Sequence, residues 1–385
     1  MMLRSDLVAT VVTLLLLFAQ ANANQALMKK LVHEYQNNTK SLLPSQGPCT
    51  PDNLVVRKEC RSTLNTETRL SYINAVKCLA KRPSVIDPKL APGARTRYDD
   101  FQATHILHTP TIHATGLFFA WHRHFVHLYE KALREECGYT GYQPYWEWSH
   151  WANKPPSANP LYDGSDTSIS GNGRYIPGRN GTVQLFPIPN PTPDKAIYTP
   201  PGTGGGYIHD GPFANWSLHL GPVAYSYDMG VHVPPNPQKN GLGYNPRPLI
   251  RDFNNSLLQE SASWDVILDM LVNVTDIHEF HPKFFQGPHL AGHSFISGVD
   301  NDIFTSPGDP LFWFHHAQVD RIWTVWQGLD LRTREEALDG TLTLLDLPPS
   351  RNATLDDTMV FDFSPDITIG DAMSPTKNGY CYIYD

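Results

Sequence analysis

The chain has 385 residues, of which 41% are hydrophobic and 18% charged, with a formal net charge of -8. That balance describes a globular protein with room for a large core and excludes a disordered chain. The negative charge, with no basic run among aromatics, excludes a nucleic-acid surface.

The N-terminus sets Arg4 before an apolar run from Leu7 to Phe18 and a small-residue stretch, Ala21-Asn22-Ala23. This is the pattern of a secretory signal peptide over residues 1–23, with one domain over 24–385. The run is short of the ~20 apolar residues that cross a bilayer. The expected location is the secretory pathway or outside the cell, with no membrane contact once the leader is removed. Sequons at Asn37, Asn180, Asn215, Asn254, Asn273 and Asn352 agree with that route. In an oxidising compartment most of the five cysteines pair. The expected bridges are Cys49–Cys78 and Cys137–Cys381, with Cys60 free.

Residues 24–50 read as an exposed lead-in with a short helix from Gln25 to Tyr35. From Thr66, the spacing of Leu70, Ile73, Val76 and Leu79 predicts a helix that ends by Pro83. A second helix runs from Asp99 to His108 and stops before Pro110. A third runs from Ala120 to Cys137, with Gly138 as its stop. Proline and glycine recur from Pro155 to Pro248, which predicts a long irregular excursion with short strands at most. Helical pattern returns from Ser261 to Val274, again around His289 and His293, and from Asp309 to about Gln327. Asp309-Pro310 makes a helix start. TLTLLDL (341–347) and MVFDF (359–363) read as short strands. The fold class is mainly α: a single domain whose helical bundle holds a dinuclear metal site, with long Pro/Gly-rich loops.

Six histidines carry the chemistry. His289 and His293 are four apart in HLAGH, so one helix face holds both rings. Leu290 stands where a zinc protease has its glutamate, which excludes H-E-x-x-H chemistry. His122 lies mid-helix in FFAWHRHF, and His316 in FWFHHAQ. The two sets are His105, His113 and His122, then His289, His293 and His316. Three imidazoles per ion leave a coordination position open, and imidazole suits copper as well as zinc.

Two longer patterns surround these residues. The first is His113, Phe118, Trp121, His122, Arg123 and Glu130; the second is Asp309, Pro310, Phe312, His316 and Asp320. Both resemble the tyrosinase family of type-3 copper proteins, which includes catechol oxidases and molluscan haemocyanins. The resemblance implies two copper ions, one on each histidine set. The RYDDFQATH context resembles short fungal members and favours His105 over His108. His124, His127, His278, His281 and His315 are expected to be non-ligands, His315 pointing about 100° away from His316 around its helix. Asp320 is expected either to accept from the His316 ring or to pair with Arg123. The final YCYIYD resembles the Tyr-x-Tyr element that closes the family's catalytic domain, so no shielding C-terminal domain is expected.

Two departures from the family pattern narrow the expected function. Thr111 stands where several members have a cysteine cross-linked to histidine, so no thioether is expected. Leu290 stands where many monophenol-hydroxylating relatives carry an asparagine that helps hold a water. The resemblance therefore implies a copper-dependent oxidoreductase that converts small o-diphenols, or related phenols and o-aminophenols, to quinones with dioxygen. Two alternatives remain open: a non-oxidative lyase with two zinc ions, and a dioxygen carrier of the haemocyanin kind.

Overall fold

The computed structural model describes residues 2–60, 64–179, 181–185, 196–223, 226–228 and 231–385. One helix, α1, runs from Met2 to Ser41, and the expected leader is its first half. The lead-in does not lie exposed. Met28, Leu31, Val32 and Tyr35 are buried, and α1 packs along the helix that carries His316. Its buried side runs past the segment read as helical to Thr39, and Gly328 gives it room. A Cβ at Gly328 would lie 2.8 Å from that of Tyr35. The Tyr35 hydroxyl accepts from the Tyr384 N–H at 2.6 Å and donates to the Tyr384 carbonyl at 2.5 Å.

Helix α2 (Thr66–Leu79) starts at Asn65, whose side chain accepts from the Thr68 N–H. It buries Tyr72, Ile73, Val76 and Leu79, while Leu70 faces solvent. Helix α3 (Arg97–Ile112) opens with a Thr96–Asp99 capping box and runs through Pro110 instead of stopping before it. Proline in a last turn forgoes one backbone bond. Around it, the Thr109 and Thr111 hydroxyls bond the carbonyls of His105 and His108. Helix α4 (Phe118–Cys137) ends at Gly138, whose φ of 68° is the left-handed cap that glycine adopts without strain.

A short α5 (Trp148–Trp151) precedes the loop-rich middle, which carries only short strands, as expected. Among them, Gly173–Tyr175 pairs with Gly205–Ile208, and Gly181–Leu185 pairs with Ala196–Thr199 and Ser226–Asp228. The helix expected at 261–274 is α7 (Trp264–Asn273), and a separate α6 (Asn255–Ser261) precedes it, ended where Ala262 leaves helical geometry. Helix α8 (Ile277–Phe284) passes through a wide π-turn, Phe285–His289, into α9 (Leu290–Ile296). Helix α10 (Leu311–Leu329) begins after Asp309, whose carboxylate accepts from the Leu311 N–H at 2.9 Å.

The tail differs from expectation. TLTLLDL makes one bridge, Thr341 to Asn352, and a 3-10 turn, because Leu345 and Asp346 both have φ of 55°. In MVFDF only Met359 is in a strand, Thr358–Met359, against Ile367–Thr368. The final strand, Tyr382–Tyr384, lies parallel to Val55–Arg57.

That parallel pairing corrects the disulfides. It sets Cys381 beside Cys49, and the packing of α2 on α4 sets Cys78 beside Cys137. The bridges are Cys49–Cys381 and Cys78–Cys137, with Cα separations of 5.1 and 5.8 Å. Cys60 is free and buried, as expected. The result is one mainly helical domain in which α4 packs on α2, α3 and α10, and α9 packs on α10. Among the described residues, no helix is long and apolar enough to cross a membrane.

Candidate metal centre

Helix α3 carries His105 and ends at His113; α4 carries His122. His289 closes the π-turn, His293 lies on α9, and His316 on α10. The structure brings all six together in the core. In the first set the ring centroids are 5.0, 5.1 and 5.7 Å apart. In the second they are 4.7, 5.1 and 5.4 Å apart. The sets face each other, with His122 stacked on His316 at 4.5 Å and His113 6.4 Å from His289. His108 turns away instead, its Nε2 3.1 Å from Asp362.

Outward bonds fix the ring protons. Nδ1 of His105 bonds the Phe304 carbonyl at 2.9 Å, and Nδ1 of His113 that of Thr109 at 3.2 Å. His122 bonds Phe118 at 2.8 Å, His289 bonds Phe285 at 3.2 Å, and His293 bonds the Asp300 carboxylate at 2.9 Å. A carbonyl only accepts, so Nδ1 of His105, His113, His122 and His289 carries the hydrogen and their Nε2 atoms present lone pairs inward; His293 does the same when Asp300 is a carboxylate. Burial holds the rings below the usual histidine range, joined by neighbouring imidazoles for every ring but His293. His113 and His293 fall to about 3.

The lone pairs then have no protons between them. Nε2 of His293 lies 3.1 Å from Nε2 of His289, and as close to Nε2 of His316, whose Nδ1 has no acceptor among the described residues to fix its proton. Nε2 of His105 and of His122 is buried with no hydrogen-bond partner among the described residues. Inward lone pairs this close repel unless a cation lies among them. A tetrahedral ion with metal–nitrogen bonds of 2.0–2.1 Å needs nitrogens about 3.3 Å apart. The residues present therefore fit a pair of metal ions, one at each set.

Phe118 packs edge-on to His289 at 4.7 Å and lies 5.0 Å from His122, while Phe312 lies 4.2 Å from His316. These rings fill the space between ligand-bearing helices. Leu290, the first residue of α9, is half-buried beside His289. Thr111 offers no sulfur; its exposed hydroxyl bonds the His108 carbonyl.

Asp320 does not serve His316. Its carboxylate takes the other expected role, pairing with Arg123 at 2.6 Å, and accepts from the Tyr382 and Tyr384 hydroxyls at 2.7 Å each. The acidic partner in the histidine shell is Asp300, which no sequence motif marked. Burial and the nearby Asp309 push the Asp300 carboxyl upward. A cation at the imidazoles acts in the opposite sense and favours the carboxylate.

Of the histidines expected to be non-ligands, His278 and His281 bond Asp339, and His124 bonds the Tyr380 hydroxyl. His315 is different. Its ring does not point away from the second set but lies 4.3 Å from His293, reaching over Gly292.

His124 and His127 on α4 also give a pH prediction. Burial first, then their mutual repulsion for His124 and Arg57 for His127, lowers them to about 3 and about 4. Both start from 6.5, so the unfolded chain binds more protons between pH 6.5 and those values. Their contribution is fully present above pH 6.5 and is lost as pH falls toward 4. The slope is at most about 1.4 kcal/mol per pH unit for each ring. Urea midpoints measured from pH 7 to 4.5 are expected to fall less steeply in His127→Gln; an identical slope contradicts this reading.

Residues 95–329 match the common central domain of tyrosinase. The chain belongs to the tyrosinase family. It is 78% identical over 341 residues to the tyrosinase-like protein orsC of Emericella nidulans, covering 89% of this chain and 92% of that one. It is 37% identical over 359 residues to the N-acetyl-6-hydroxytryptophan oxidase ivoB of the same fungus, covering 88% and 94%. A mutant polyphenol oxidase from Thermothelomyces thermophila superposes with a TM-score of 0.84 at 40% identity, covering 93% of this chain and 97% of the other. Tyrosinases are type-3 dicopper proteins that use phenolic substrates and dioxygen, and the two facing histidine sets of this member fit a dinuclear site.

Proposed function

We propose that this tyrosinase-family protein holds two copper ions and oxidises small o-diphenols or o-aminophenols to quinones with dioxygen. His105, His113 and His122 hold the first ion; His289, His293 and His316 hold the second. The observation that carries the reading is the set of five outward Nδ1 bonds, four of them to carbonyls, which turn the Nε2 atoms inward to within 3.1 Å of one another. The relative named for oxidising N-acetyl-6-hydroxytryptophan supports a small hydroxylated aromatic as substrate.

Copper, when bound, supplies the redox chemistry: two o-diphenols give up four electrons and four protons, and one dioxygen leaves as two waters. The chain's own residues do the rest. The carbonyls of Thr109, Phe118, Phe285 and Phe304, with Asp300, hold the imidazoles in one tautomer and one orientation. Phe118, Phe285 and Phe312 exclude water from the ligand rings. Leu290 offers an apolar side chain beside the second set, where it cannot place a water to take a proton from a monophenol. The apolar leader over residues 1–23 supports a secretory destination.

The test is metal content joined to oxygen consumption on a catechol, monophenol and aminophenol panel. Two coppers and fast catechol turnover are expected. Two zincs without oxygen uptake would favour the lyase, and reversible oxygenation without turnover the carrier. Leu290→Asn is expected to raise the monophenol-to-catechol rate ratio about fivefold, the worth of one hydrogen bond. An unchanged ratio would remove Leu290 from the account.

A further inference from the structure

His315 precedes His316 on α10 and is fully buried. Its ring centroid lies 4.3 Å from that of His293, 5.0 Å from His316 and 5.6 Å from His289. One nitrogen on each of these four rings falls within 4.8 Å of those on the other three. Among the described residues neither His315 nitrogen has a well-formed hydrogen bond. The His289 carbonyl is near enough to favour a proton on the ring and no more. A buried imidazole in this state is costly unless something binds it.

The space for the ring is made deliberately by a neighbouring helix. A Cβ on Gly292 would lie 2.2 Å from both Cε1 and Nδ1 of His315. Glycine weakens a helix interior, yet α9 carries one between His289 and His293, where it admits this ring. Trp148 closes on the ring at 5.2 Å. The first set gathers three imidazoles and the second gathers four, among the described residues.

We propose that His315 is a further metal-binding residue, a fourth imidazole that captures the second ion together with His289, His293 and His316, so that this site fills before the first. The proposal rests on the reading of the two sets as a metal pair. Tetrahedral coordination needs nitrogens about 3.3 Å apart, so a ring shift of about 1–2 Å brings His315 into bonding range. Four imidazoles close the coordination sphere in the manner of a structural site; release of His315 restores the open position that catalysis needs.

The test is a stepwise Co2+ titration of the metal-free full chain against a competing chelator, with the visible spectrum followed for tetrahedral coordination. Wild type is expected to bind its first equivalent tightly and tetrahedrally. His315→Gln and His315→Phe are expected to weaken that equivalent by about tenfold or more and to leave the other unchanged. Glutamine keeps a polar side chain and decides the matter if phenylalanine prevents folding. A smaller loss overturns the proposal, as does an equal loss at both equivalents, which marks a packing role. If wild type takes up no cobalt, the metal-pair reading falls with it. Two equivalents bound unchanged by both variants overturn this inference alone.

Discussion

Replacing His122 with alanine is expected to leave about one metal ion per chain and to slow catechol oxidation by more than roughly 100-fold. The scale follows from a comparison of direct and indirect partners. Losing a group that merely orients a ligand costs about 10–100-fold in affinity or activity. His122 is nearer than that: its Nε2 is buried without a hydrogen bond, and its ring stacks on His316 at 4.5 Å, the closest approach between the sets. Asp300→Asn supplies the smaller step for calibration, because Asp300 acts through the Nδ1 of His293. The metal-free His122→Ala protein is expected to fold, since the change removes an unpaired buried polar atom along with the ring. Plasma mass spectrometry and oxygen electrode rates check both variants. Two ions per chain and near-normal turnover in His122→Ala would remove it from the site.

The gathering of six histidines into two sets was legible because helix periodicity and the spacing around His113, His122, His289 and His316 are local properties of the chain. His105 needed a resemblance to separate it from His108, and the structure shows why: both lie on α3, and only the direction of the ring distinguishes them. Helices α4 and α10 were read within two residues at each end because strong stop and start signals bound them, Gly138 and Asp309. What escaped depends on long-range contact. The disulfide pairing follows from which strand ends lie together, and residues 49 and 381 are 332 positions apart. Asp300 meets His293 through a loop with no motif. His315 was placed by the helical rotation of its backbone, which says nothing of a glycine on the next helix that lets the ring turn back. The π-turn Phe285–His289 that leads into α9 is likewise invisible to sequence periodicity.

Asp320→Ala is expected to destabilise the metal-free protein by about 3–5 kcal/mol, the usual effect of removing one partner of a buried ion pair. Two guanidiniums meet in this core, Arg57 and Arg123, both fully buried. Glu130 answers Arg57 at 2.9 Å, and Asp320 answers Arg123 at 2.6 Å and Arg57 at 3.4 Å. Burial alone would raise the Asp320 carboxyl, but Arg123, Arg57 and the hydroxyls of Tyr382 and Tyr384 pull it below the ordinary value. Without it Arg123 keeps only neutral acceptors, among them the Ala372 and Met373 carbonyls and the side chains of Thr324 and Gln327. The two tyrosine hydroxyls lose their acceptor at the same time. The strand pair Val55–Arg57 and Tyr382–Tyr384 is thereby loosened from α4 and α10, the helices that carry His122 and His316. Metal content is expected to fall as a consequence, which is why stability is measured first without metal, by urea unfolding. Asp269→Ala is the control. Asp269 and its partner Lys283 have side chains 48% and 42% exposed, and such surface pairs contribute about 0–1 kcal/mol. Equal losses in the two variants would mean that the buried carboxylate does not hold the helices together.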